Sequence, residues 1–137
     1  LDIRSQTYGI LQREDTLKEI VKLLGPEALP DEEKLILEVA RMVKIGILQQ
    51  NSFDDVDTYC SPEKQFKLMK LQVDFYNKGQ QALKDGASLA DIRSMDVISL
   101  LLKARMDVKD DEMNKLDKLS TDMVEQFKTV TGIKVQN

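Results

Sequence analysis

The side chains that could do chemistry gather in a few short stretches. Acids cluster in "DDVD" (54–57) and "DVKDDE" (107–112), and a third acidic group, Glu27, Asp31, Glu32 and Glu33, surrounds the turn in "GPEALPDEEKLILEVAR" (25–41). Closely spaced carboxylates ligate hard cations when a turn glycine and a terminal bidentate glutamate complete the loop, and neither "DDVD" nor "DVKDDE" has that spacing. Both clusters read as caps and solvated turns. The chain contains no histidine, which removes Ser-His and Cys-His nucleophiles, His-ligated metals and the commonest general base. Without an imidazole partner, Cys60 reads as a buried thiol rather than a nucleophile. No Walker-type Gly-rich Lys loop and no G-x-G-x-x-G run is present to cradle a phosphate. No residue of this chain is assigned a catalytic or metal-binding role.

The composition agrees. In 137 residues, 42% hydrophobic and 32% charged, there is enough apolar material for one packed domain, and a net charge of −4 argues against nucleic acid as a partner. No apolar run approaches the ~20 residues of a membrane span. A single cysteine forms no internal disulfide and fits a reducing compartment. The first residue is Leu1, and "LDIRSQTYG" reads as the continuation of something. The expectation is a processed chain or a piece of a longer one, and not an enzyme by itself.

The elements that must position these side chains are all helical: a single bundle of about six or seven helices, with no segment alternating like a strand. "DTLKEIVKLL" (15–24) carries Leu17, Ile20, Val21 and Leu24 on one stripe, with Asp15 as its cap and Gly25 just past its end. After the acidic turn, Asp31 to about Leu48 forms the most apolar helix, central to the bundle, with Gly46 marking close packing or a bend. Asp31, Glu32 and Glu33 fall in its first turn, where negative charge is worth about 0.3–1 kcal/mol against the dipole. Residues 49–61 lose the period and read as a connection. Ser61 and Pro62 then start a helix carrying Phe66, Met69, Val73, Tyr76 and Leu83 inward, to end at Gly86. "SLADI" places Asp91 three residues after Ser88, a capping box. A last helix over about 109–131 buries Met113, Leu116, Leu119, Met123, Phe127 and Val130. Acid-to-base pairs at i, i+4 (Glu14/Lys18, Glu63/Lys67, Asp74/Lys78, Asp111/Lys115) suggest solvated faces.

Two features have a functional reading beside a plain one. Glu27, Asp31, Glu32 and Glu33 either cap a helix and keep a loop wet, or form, with Leu29, a protruding tip that presses on a basic partner. Prolines on both sides stiffen such a tip. Phe53, an aromatic between Asn51 and Asp54, either anchors its loop in the core or stacks on a flat ligand or a neighbouring domain.

Four motifs occur in order: "LQREDTLKEIV", "LLGPEALPDEEKLILEVAR", "LQQNSF" and "VDTYCSPEKQ". Together they resemble the C-terminal helical domain of the catalytic A subunits of archaeal and vacuolar-type rotary ATPases, over the whole chain but most specifically before about residue 85. In that family a nucleotide domain with its P-loop precedes this region, so the resemblance places residues 1–137 as the C-terminal bundle of a longer chain. The related F-type catalytic beta subunit has an acidic, leucine-containing helix–turn–helix at this position, which bears on the rotating central stalk. The resemblance therefore implies a stalk contact at Glu27, Leu29, Asp31, Glu32 and Glu33, and places Phe53 against the adenine of bound nucleotide. Pro30 interrupts what is a more continuous acidic run in the F-type element, and Asp54 stands where many relatives carry histidine.

The function so implied is coupling of ATP synthesis or hydrolysis, in an adjoining nucleotide domain that binds ATP or ADP with Mg, to rotation and ion transport. The implied partners are the rest of its own catalytic chain, the non-catalytic B subunits and the central stalk subunits, on the cytoplasmic side of the membrane without insertion into it. The rival from another class is a free-standing helical adaptor that binds a basic peptide or helix through the acidic turn.

Overall fold

Helix α1 (Ile3–Leu24) begins where the Asp2 carboxylate accepts the Ser5 N–H at 2.7 Å, satisfying one of the donors a helix start leaves orphaned. The structure, a computed structural model, describes residues 2–48 and 60–135. The helix thus starts well before the expected Asp15, which lies exposed in its middle. Its buried stripe is Thr7, Ile10, Glu14 and Leu17, a helical spacing that apolar residues alone do not reveal. The Thr7 hydroxyl donates to the Ile3 carbonyl at 2.8 Å, which makes its burial tolerable.

Gly25 ends α1 with φ 86° and ψ 160°, a region open essentially to glycine, while its N–H donates to the Val21 carbonyl at 2.8 Å. A 3-10 turn, Pro26–Ala28, leads to Pro30 at φ −68°. The Pro30 carbonyl accepts the N–H groups of Glu33 and Lys34, each at 3.0 Å, and so starts helix α2 (Asp31–Val43). The ring sets the backbone angle at no cost in donors, because that N–H would have had no partner.

α2 is apolar over a wide face. Leu35, Val39, Met42 and Val43 have no solvent exposure, and the helix packs on both α1 and the long helix α3 (Pro62–Lys84). It runs straight into a π-helical turn, Lys44–Leu48. Gly46 is in that turn because a Cβ there would lie 3.0 Å from the Leu101 carbonyl oxygen, so close packing and an irregular helix both account for the glycine. The Ser61 hydroxyl accepts the Lys64 N–H and Pro62 occupies the first position of α3. The Ser88–Asp91 box opens the short helix α4 (Leu89–Arg93), followed by α5 (Val97–Asp107) and α6 (Asn114–Val135). Phe75 meets Phe127 at 5.3 Å between ring centroids, tilted by 55°, and pins α6 to α3.

The chain is all-α, with six α-helices and no strand among the described residues. Two residues placed inward on periodicity face out: Leu24 at the end of α1 and Phe66 on the first turns of α3. Both sit within a turn or so of a helix end, where there is less neighbouring structure to cover a side chain. Of the four expected i, i+4 ion pairs only Glu14–Lys18 forms, at 3.7 Å. Lys67 turns to Asp117 of α6 at 3.6 Å, Asp74 to Lys70 at 2.9 Å, and Lys115 to Glu112. Long lysine stems reach several acids: Lys67 takes one on another helix, while Lys70 and Lys115 take acids one turn away in sequence.

Candidate functional site

The acidic turn sits at the end of the α1–α2 hairpin, with Glu27, Asp31 and Glu32 facing solvent. Glu27 meets the Lys34 ammonium at 3.2 Å, and the half-buried Glu33 meets the Arg13 guanidinium at 3.3 Å. Asp31 and Glu32 form no ion pair among the described residues. The five residues named from the sequence are thus brought together, but Leu29 is not on the outside. It is only 4% exposed, turned into the core, with its N–H donated to the Pro26 carbonyl at 3.2 Å. Its expected place beside the acids on the contact face is corrected: Leu29 anchors the turn from within. The apolar part of the outer face is Leu23 and Leu24, 83% and 72% exposed. A signal for this was present in the sequence. Adjacent helical positions lie about 100° apart, so a stripe that turned Leu24 inward would have left Leu23 facing away from it.

A second cluster, missed from the sequence, lies at the π turn. Glu14 of α1, expected on a solvated face, is 4% exposed. Its carboxylate receives the Lys44 ammonium at 2.6 Å and lies 3.7 Å from that of Lys18. The hydrogen bond to Glu14 holds the Lys44 ammonium above the usual lysine range. On the other side of the turn the Arg105 guanidinium donates to the Ile47 carbonyl at 3.1 Å. The Arg105 carbonyl in turn accepts the buried Lys64 ammonium at 2.7 Å. The Oε1 atom of the buried Gln72 accepts no hydrogen bond among the described residues, and a buried acceptor left so costs about 1–3 kcal/mol.

Phe53 and the acids of "DDVD" lie outside the described residues. In "DVKDDE", Glu112 accepts the Lys109 N–H at 3.1 Å and starts a 3-10 turn, which is capping work. No group of three or more potential metal ligands comes together among the described residues. Cys60 is partly buried, and that burial pushes its thiol up from the ordinary value. No helix among the described residues is long and apolar enough to cross a membrane.

A family model described as the C-terminal domain of V and A type ATP synthase matches residues 1–93, which carry the hairpin, the π turn and the capped start of α3. The chain belongs to that family. The A subunit of the A-type ATP synthase of Ignicoccus hospitalis is 40% identical over 132 residues, covering 95% of this chain and 22% of that protein. Its counterpart from Hyperthermus butylicus is 41% identical over 136 residues, 98% of this chain and 23% of that protein. A V-type ATP synthase alpha chain of Halothermothrix orenii is 35% identical, over 93% of this chain and 22% of its own length. The chain thus spans less than a quarter of the length of these relatives. What this member of the V and A type C-terminal family presents outwardly is an acidic tip with two uncovered leucines, on a hairpin stiffened by prolines.

Proposed function

We propose that this domain is the lever of the catalytic chain of a rotary ATP synthase, relaying the nucleotide state of an adjoining domain to the central stalk through the acidic tip. The observation that carries the reading is the outer face of the hairpin: Glu27, Asp31 and Glu32 exposed beside Leu23 and Leu24. Such a face fits a helical shaft that is basic and apolar at once. The helices behind it pack against the apolar face of α2, where Leu35, Val39, Met42 and Val43 are buried, and a packed bundle moves as a body rather than deforming continuously. Leu29, locked into the core, makes the tip follow that motion.

The chemistry belongs to the neighbouring nucleotide domain, which binds ATP or ADP with Mg, and this domain supplies no group to bond making or breaking. Phe53 stacks on the adenine and so senses occupancy. Non-catalytic B subunits flank the catalytic chain, and the assembly works on the cytoplasmic face of the membrane. Glu33 is a secondary contributor, because Arg13 already neutralises it.

The test is made in the assembled complex. Replacing Glu27, Asp31 and Glu32 together by Ala should lower torque or coupling efficiency while nucleotide affinity holds. Phe53→Ala should weaken nucleotide binding by about 1–3 kcal/mol, the worth of a base–aromatic stack. If rotation stays fully coupled after the triple replacement, the lever reading fails at the tip.

A further inference from the structure

Glu14 has no part in the lever so far, yet burying a carboxylate is costly unless it is paired. It lies on α1, the helix that ends in Leu23 and Leu24. Its partner Lys44 is the first residue of the π turn from which the chain runs on to residue 49. That turn packs chiefly on α2, α5 and α3, and the hydrogen bond from Arg105 to Ile47 fastens its far side. The 2.6 Å pair ties α1 to it.

A π turn is an α-helix with one residue too many. Absorbing that residue into regular helix would rotate everything beyond Leu48 by about 100° and move it by about 1.5 Å. A turn that is either kept or absorbed would have two discrete positions, the kind of element that can carry coupling between distant sites. We propose that the Glu14–Lys44 pair is the joint that lets load on the tip set nucleotide affinity, with Glu14 drawing Lys44 and the π turn along as α1 shifts. The proposal rests on the lever reading and adds the route by which the lever works in reverse. Glu14 and Lys44 are positioning residues on this account. Lys44 is partly exposed, so its side chain can follow α1 without opening the core.

Nucleotide affinity of the assembled catalytic ring is measured with Mg-ADP, with and without the central stalk, in the unaltered complex and in Lys44→Met, Lys44→Arg and Glu14→Gln. In the unaltered complex the stalk should change affinity by a factor within the roughly 5–150-fold range usual for coupled sites. Lys44→Met and Glu14→Gln should each bring that factor below about 2-fold, and Lys44→Arg, which keeps the charge and reach, should preserve it. A purely structural ion pair would change stability and leave the ratio alone. Should Glu14→Gln fail to assemble, Lys44→Met decides, since its side chain fills no core space. A factor that survives Lys44→Met overturns the joint and leaves the lever standing, and so does an equal loss in Lys44→Arg. A factor of one in the unaltered complex removes both.

Discussion

Leu23 and Leu24 offer the sharpest separation between folding and contact. They are 83% and 72% exposed, so the domain covers only 17% and 28% of their surfaces. Full burial of a leucine is worth about 2 kcal/mol, which puts the covered fractions at about 0.3 and 0.6 kcal/mol. Alanine recovers a few tenths through its higher helix propensity. The double replacement Leu23→Ala/Leu24→Ala should therefore cost the domain less than about 1 kcal/mol. Burying the remaining surface on a partner is worth about 3 kcal/mol, so affinity for the stalk should fall on the order of 100-fold. Leu29→Ala is the contrasting case: a residue 4% exposed leaves a cavity, and such truncations cost about 2–5 kcal/mol. Hydrogen-exchange protection of the α2 amides in the full-length catalytic chain reads local stability, and titration of the stalk onto the catalytic ring reads contact. Protection reduced by more than about 1.5 kcal/mol in the double variant would mean the leucines are packed within the domain. Unchanged stalk affinity would refute the contact face.

Two further outcomes follow from single residues. Gly46→Ala would ordinarily gain about 1 kcal/mol of helix propensity, but the new methyl would sit 3.0 Å from the Leu101 carbonyl and 3.4 Å from the Gln72 amide nitrogen. Overpacking costs of about 1–3 kcal/mol outweigh the gain, so exchange from the π turn should speed up, and a stabilised variant would contradict the packing. Burial raises the Cys60 thiol pKa, so the folded state favours the neutral form. Its alkylation should set in at higher pH than the ordinary cysteine range near 8.5, and stability should fall as the thiol ionises. Reaction at neutral pH as fast as a free thiol would deny that burial.

Local signals were legible in the sequence where the physics is local. The Ser61–Pro62 start of α3 and the Ser88–Asp91 box need only neighbours in sequence, and both form as expected. The inward face of α6 at Leu116, Leu119, Met123 and Phe127 follows from apolar period alone. The beginning of α1 did not, because two of its four buried positions are Thr7 and Glu14, which count as polar in any hydrophobic pattern. Glu14 is inside because a lysine from another element reaches it, and no spacing within α1 contains that fact. Leu24 fits its stripe but stands 72% exposed near the helix end, and periodicity gives the direction of a side chain without saying whether anything is there to meet it.

Helix capping and partner contact, the two readings of the acidic turn, are separated by counting charge. Stabilising the first turn of α2 needs negative charge near its N-terminus, worth about 0.3–1 kcal/mol per group. Four acids, Glu27, Asp31, Glu32 and Glu33, stand there against two cations, Lys34 and Arg13, which leaves a local charge of −2 on Asp31 and Glu32. Neither carboxylate caps the helix, since Pro30 occupies the N-cap without any side-chain hydrogen bond. The dipole accounts for a first-turn acid or two. It gives no reason to hold two adjacent leucines in water, at a forgone stabilisation of about 3 kcal/mol. Single exposed apolar residues are ordinary on a protein surface; a contiguous exposed pair leading into an acidic turn is the composition of a contact. The leucines, not the carboxylates, weigh the turn toward a partner, and the carboxylates then fix the sign of what it meets.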